Sequence, residues 1–281
     1  MLSLTKTHPQ KRAFVTGAAS GLGRELSLIL AADGWHIAIV DINEQSLNQT
    51  AEEINQLGGT SISFLLNVAD PIQYKSIAKD CLSTLGGIDL LINNAGIGDF
   101  GSLDEYGIDN WNWLVGVNQM SVVYGIHYFL PVMKAQNSGH IINIASAAAF
   151  SSMPNMGAYN ATKAAVLSIS ETLYAEVRDK GIQVSVALPT FFKTNIMQHC
   201  RGQGEEKAIA EKIVNESKIT PKEIAYQILK AAGNKKLYIV LPNASKLFFL
   251  IKRLFPMLMM KLNSRKPKSP DGFIKFSNFI R

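Results

Sequence analysis

The chain is poor in the features that mark several large classes of protein. Only two of its 281 residues are cysteine, Cys81 and Cys200. At most one bridge could form, and a chain of this size buries a core without one, so a reducing, cytoplasmic setting is expected. Charged residues make up only 18% against 47% hydrophobic, a balance that excludes a disordered chain. The opening MLSLTKTHPQKR is broken by Lys6, Pro9 and Lys11 and lacks the continuous apolar stretch of a secretory signal. No basic cluster is interleaved with aromatic platforms or set in a known motif, so no nucleic-acid partner is expected. No metal site is expected either. Internal repeats are missing, and no low-complexity linker interrupts the chain until about Asn263, where NSRKPKSPDG follows.

What charge there is lies unevenly. From Lys235 to the end there are eleven Lys/Arg against one acid, Asp271, so this segment carries +10 of a total of +6 and residues 1–234 carry −4. The basic end therefore needs an explanation separate from the mildly acidic body.

Short apolar, β-rich runs at residues 13–16, 37–40, 61–66, 89–92, 140–144, 184–188 and 237–241 alternate with stretches such as 24–32, 44–57 and 72–85, whose apolar positions recur at helical spacing. Strands that alternate with helices imply right-handed crossovers and a parallel sheet covered on both faces. The expected fold is α/β: a doubly wound, seven-stranded parallel sheet of the Rossmann type. It is expected to form one domain over residues 1–243, followed by a basic, apolar C-terminal extension over 244–281.

The first strand runs into Thr16-Gly17-Ala18-Ala19-Ser20-Gly21-Leu22-Gly23 and then a helix. Glycines there let the backbone turn and approach a pyrophosphate, which the helix N-terminus favours electrostatically. The spacing differs from G-x-G-x-x-G, so the loop is read with its neighbours. Asp41 closes the second strand run eighteen residues beyond Gly23, where a carboxylate can bind the adenosine ribose hydroxyls and repel a 2′-phosphate. Neither Ser20 nor Ile42 supplies a cation for NADP, so NAD is favoured. The alternative is that Asp41 caps the helix starting at Glu44.

Tyr159 and Lys163 sit at i, i+4 near the start of a helical pattern that continues through Leu173 to Val177, which puts both on one face. A phenol is a poor proton shuttle at neutral pH, but a neighbouring ammonium and an oxidised nicotinamide would both favour its ionised form. The preceding strand run ends at Ser146, at the carboxyl edge of the sheet where α/β folds bind ligands. Asn93-Asn94-Ala95-Gly96 ends the fourth in a small, sharp turn.

This ordered set, T-G-x-x-x-G-x-G, N-N-A-G, an Asn in the following helix, Ser, then Y-x-x-x-K, resembles the short-chain dehydrogenase/reductase family over roughly residues 12–195. The resemblance implies that Tyr159 exchanges the substrate proton. It implies that Lys163 binds the nicotinamide ribose and lowers the tyrosine pKa. Ser146, thirteen residues before Tyr159, would orient the substrate oxygen. Asn118 would bend its helix and hold a water that links Lys163 to bulk. The same resemblance places Asn67 and Val68 beside adenine, Asn94, Ala95 and Gly96 along the ribose, and Pro189 and Thr194 near the nicotinamide. Two departures are visible: Asn67 where the family commonly has Asp, and Pro189-Thr190 where it has Pro-Gly. Thr190 is expected to narrow the pocket. A homodimer or homotetramer is implied as well.

Residues 190–220 fall where the family's substrate lid would lie. Phe191, Phe192, Ile196 and Met197 make the lid apolar, and Gly202-Gln203-Gly204 suits a hinge, so a hydrophobic substrate is expected. Residues 245–262 are apolar but interrupted by Lys252, Arg253 and Pro256, too broken to span a bilayer. Their mixture of apolar bulk and cations fits peripheral membrane contact, a partner subunit or a cap on the substrate cleft. The sequence thus points to an NAD-dependent oxidoreductase for a hydrophobic secondary alcohol and its ketone. The alternatives are an NADP-dependent carbonyl reductase and a non-catalytic, NAD-responsive binding protein.

Overall fold

The computed structural model describes residues 2–194, 196, 200–201 and 205–264. Met197, the 202–204 glycine stretch and the chain from Arg265 onward lie outside these residues.

Each expected apolar run forms a strand: β1 (Arg12–Thr16), β2 (His36–Asp41), β3 (Thr60–Leu65), β4 (Leu90–Asn93), β5 (Gly139–Ile144), β6 (Ile182–Pro189) and β7 (Tyr238–Leu241). They form one seven-stranded sheet in the order β3-β2-β1-β4-β5-β6-β7, with every neighbour parallel. The central strands are buried along their whole length, which is why they read as largely apolar runs; no residue of the edge strand β3 is buried.

Helices cover both faces. On one, Val15, Ile37, Ile92 and Ile142 pack against Leu26 and Leu30 of the Gly21–Ala32 helix and Ile228 and Leu229 of the Pro221–Gly233 helix. On the other, Phe14, Leu91 and Ile141 meet Tyr74, Phe129, Met133 and Leu173. Local chemistry sets the helix ends. Asp70 accepts hydrogen bonds from the Ile72 and Gln73 amides and Pro71 takes the first helical position, while Thr220 and Glu223 form a reciprocal cap. The last two helices, Ser245–Leu254 and Pro256–Ser264, place Phe248 and Met259 against Phe150, Val186, Leu188 and Val240.

The chain builds outward from β1 to β3 and then returns to place β4 on the other side of β1. A crevice opens above the strand ends at this reversal. Gly17 turns there with φ +67°, and a Cβ on Gly23 would stand only 2.0 Å from the Gly17 carbonyl oxygen. The glycine turn is therefore packed directly onto the first turn of its helix. Gly23→Ala is expected to force the two apart at a cost of about 1–3 kcal/mol, seen as a Tm lower by several degrees together with weaker dinucleotide binding. An unchanged Tm would show that the loop yields freely.

Candidate active site

One cavity of about 490 Å³ occupies the crevice. It collects side chains from both halves of the sheet, and almost all the residues singled out above line it. At one end stand Asp41, Ile42, Asn67 and Val68. The glycine turn follows, with Gly17, Ser20, Gly21 and Leu22, then Asn94, Ala95 and Gly96. Beyond them come Ser146, Tyr159, Lys163, Pro189 and Thr194. Gly23 and Asn118 are not on the wall: Gly23 packs beneath the turn, and Asn118, 1% exposed, lies behind it.

A clasp between β1 and β4 fixes the turn. Thr16 Oγ1 accepts from the Asn94 and Ala95 amides, each at 3.0 Å, and the Asn94 side-chain amide donates to the Thr16 carbonyl at 2.8 Å and the Gly17 carbonyl at 3.2 Å. Asn94 thus braces the loop with its side chain. Asp41 does not cap the following helix; Asn43 does, accepting from the Ser46 amide at 3.0 Å. The Asp41 carboxylate instead accepts from the Ala19 amide at 3.0 Å across the loop and from its own turn at Ile42 and Asn43. A carboxylate has about four acceptor sites, so Asp41 is held rigid with capacity left toward the cavity. On the opposite side of the turn, a Cβ built on Gly21 would find only Thr194 Oγ1 at 3.7 Å.

Tyr159 and Lys163 lie on the Gly157–Val177 helix, with the Lys163 nitrogen 5.8 Å from the phenol ring centre. Lys163 is 2% exposed and donates to the Ile144 carbonyl at 3.1 Å. Burial drops its pKa to about 8. Burial pushes the Tyr159 phenol up to about 12, and a hydrogen bond with Ser146 only partly opposes this.

Asn118 sits in a π-helical turn, Gly116–Met120, between the Ile108–Val115 and Ser121–Gln136 helices. Its Oδ1 accepts from the Ile97 amide at 2.8 Å, and its amide donates to the Ile97 carbonyl at 2.9 Å and to Thr162 at 3.3 Å. A Cβ on Gly96 would meet Lys163 Nζ at 3.2 Å and Asn118 Oδ1 at 3.3 Å. Asn118, Gly96 and Lys163 therefore form one packed unit behind Tyr159.

Several wall residues carry no motif of their own, although a cap on the substrate cleft by residues 245–262 is among the expectations above. Phe150, Met153 and Met156 come from the segment before Tyr159, and Phe248 and Met259 from the last two helices. Buried Asp99 accepts from the Tyr106 hydroxyl at 2.6 Å and the Cys200 thiol at 3.1 Å, while the Gly98 amide donates to the Ile196 carbonyl at 3.2 Å. Arg201 stacks 3.9 Å from the Trp113 ring centre. These contacts tie the expected lid to the loop after β4, and nothing in the linear pattern pairs residues so far apart.

A family model described as short chain dehydrogenase matches residues 11–204. The chain belongs to the short-chain dehydrogenase/reductase family. It is similar to the cyclohexanol dehydrogenase of Acinetobacter sp., 35% identical over 188 residues, which are 66% of this chain and 75% of that protein. A Mycobacterium tuberculosis protein named Probable oxidoreductase EphD is 32% identical over 253 residues, 86% of this chain but 43% of that relative, so the chain spans under half its length. A crystal structure of a family member from Burkholderia phymatum in complex with NAD superposes with a TM-score of 0.83 at 30% identity, covering 88% of this chain and 94% of that one. This short-chain dehydrogenase is an oxidoreductase of a family that acts on CH–OH groups with NAD or NADP.

The buried lysine makes stability depend on pH in a defined direction. Its folded value of about 8 lies below the ordinary 10.5, so between these values the unfolded chain holds more protons and stability from this group rises with pH. Relative to Lys163→Met, the wild type is expected to gain about 3 kcal/mol between pH 7 and 10.5, read from urea midpoints. Parallel pH profiles for the two proteins would show that the lysine is not buried as described.

Proposed function

We propose that this short-chain dehydrogenase interconverts a hydrophobic secondary alcohol and its ketone, with NAD as hydride carrier and Tyr159 as acid/base. The observation that carries the reading is a single cavity joining the anchored Asp41 carboxylate, an uncapped helix N-terminus at the glycine turn, and the Ser146, Tyr159 and Lys163 group. These residues fit a dinucleotide. Gly17, Ser20, Gly21 and Leu22 would hold its pyrophosphate by backbone N–H groups, with Gly23 letting the helix start that close. Asp41 and Ile42 would take the adenosine ribose and Asn67 and Val68 the adenine. Asn94, Ala95, Gly96 and Lys163 would face the second ribose, with Pro189 and Thr194 at the carboxamide end. When bound, the cofactor supplies hydride transfer.

The chain's own residues supply the rest. Tyr159 as the neutral phenol, the form that burial favours, gives its proton to the carbonyl oxygen in reduction, and as the phenolate takes one from the alcohol in oxidation. Ser146 holds that oxygen beside the phenol. Lys163, with a pKa near 8, exchanges a proton close to neutral pH, and Asn118 fixes the backbone around it. Phe150, Met153, Met156, Phe192, Phe248 and Met259 give the substrate end an apolar wall. That wall suits a compact apolar alcohol, the class named for the Acinetobacter relative.

Replacing Tyr159 with Phe is expected to lower kcat by roughly a hundredfold or more while NADH affinity, read by fluorescence titration, stays within about twofold. Retained turnover would refute the acid/base role. Asp41→Asn removes the charge and retains one acceptor oxygen, enough for the Ala19 amide or for the Ile42 and Asn43 amides but not for both sides. It is expected to raise the ratio of NADPH to NADH efficiency by roughly tenfold, the scale of a like-charge contact near a surface; a ratio that does not move would place NAD preference elsewhere.

A further inference from the structure

The two helices that end the described chain face two environments. Inward, Ser245, Phe248 and Met259 line the cavity, and the last two are 5% and 2% exposed. Outward, Leu247, Leu250 and Leu254 follow one another at i, i+3 and i+7, and Phe255, Met257 and Leu258 continue the stripe, each between 49% and 66% exposed. Among the described residues, six of the thirteen exposed large apolar side chains fall in these twelve positions. Single exposed apolar groups are ordinary, whereas a contiguous run marks an interaction surface.

Charge identifies the partner. Lys246, Lys252 and Lys261 punctuate the stripe, and among the described residues none of the three enters an ion pair. Arg253 is occupied, donating to Glu171 at 2.9 Å. No acidic residue occurs between Lys235 and Asp271, and Arg265, Lys266 and Lys268 follow in the sequence. A second copy meeting this face about a two-fold axis would set cation against cation with no acid between them. Anionic lipid headgroups over acyl chains match both the cations and the stripe. No described helix is long and apolar enough to cross a membrane, so the pair would lie in the plane of the interface.

We propose that the outer face of the Ser245–Leu254 and Pro256–Ser264 helices docks on an anionic lipid surface, with the cavity behind it taking an alcohol or ketone dissolved in that membrane. The docking stands on the surface alone; the second clause rests on reading the cavity as the substrate site.

Sedimentation of the full chain with vesicles tests it. The chain is expected to pellet with phosphatidylcholine–phosphatidylglycerol vesicles, far less with phosphatidylcholine alone, and to be released by salt. Leu254→Glu with Phe255→Glu is expected to lower partitioning at least tenfold, and Lys246→Gln with Lys252→Gln about fivefold for each lysine neutralised. Circular dichroism checks that each variant is folded. NAD-linked turnover of a water-soluble secondary alcohol is expected to be unchanged in these variants, since none of the four side chains lines the cavity. Failure of the anionic vesicles to pellet the wild type would overturn the docking. So would equal pelleting of wild type and variants, or Glu variants that turn a dimer into a monomer without any vesicle binding. Absence of turnover in the wild type would count against the substrate reading alone and leave the docking to be decided by sedimentation.

Discussion

The site depends on the clasp between the ends of β1 and β4. Two strands adjacent in space but far apart in sequence must finish at the same level for a crevice to form between them. Thr16 and Asn94 enforce this with four hydrogen bonds that exchange side-chain and backbone groups across the junction. Because the Asn94 amide also reaches the Gly17 carbonyl, the glycine turn is held from the β4 side. The Asp41 carboxylate holds it from the β2 side through the Ala19 amide. The turn is thus set by its neighbours before any ligand arrives, which spares binding the entropy of ordering it.

A second consequence concerns protons. The phenol of Tyr159 lies well above its ordinary value and the ammonium of Lys163 below its own, both because burial disfavours charge. Two opposite ionisations are therefore suppressed by the same cause, and near neutral pH the phenol stands in its proton-donating form. The lysine is the group whose proton is loosely held. Its contact with the Ile144 carbonyl, and the glycine at position 96 that leaves room for its nitrogen, keep the ammonium from being stranded without a partner.

Much of this was legible in the sequence. The inner strands announce themselves because a sheet covered on both faces is written in largely apolar runs, and Tyr159 and Lys163 share a helix face because their spacing dictates it. Spacing does not report environment, however: the burial that raises the tyrosine pKa cannot be read from its neighbour's charge. Thr16 read as the end of a strand, while its role as a bolt required knowing that β4 lies alongside. Asp99, which joins Tyr106 to Cys200 across about a hundred residues, is invisible to any periodicity. Phe248 and Met259 are likewise ordinary apolar residues until the fold lays their helices over the cavity.

The C-terminal helices show why apolar residues all round a helix are a poor guide to a single buried face. A helix with protein on both sides would bury Leu247, Leu250 and Leu254 along with Phe248, and a helix with water on one side would make them polar. Here Phe248 is buried while its three neighbours are half-exposed, and basic residues, with no acid, flank and interrupt them. The pattern is consistent if the outer side meets a medium that is apolar within and anionic at its boundary. Under the proposed docking, packing the inner side on the cavity wall would set the substrate end of the enzyme against that medium, and recognition of the proposed hydrophobic substrate and attachment to the phase that dissolves it would be properties of the same two helices.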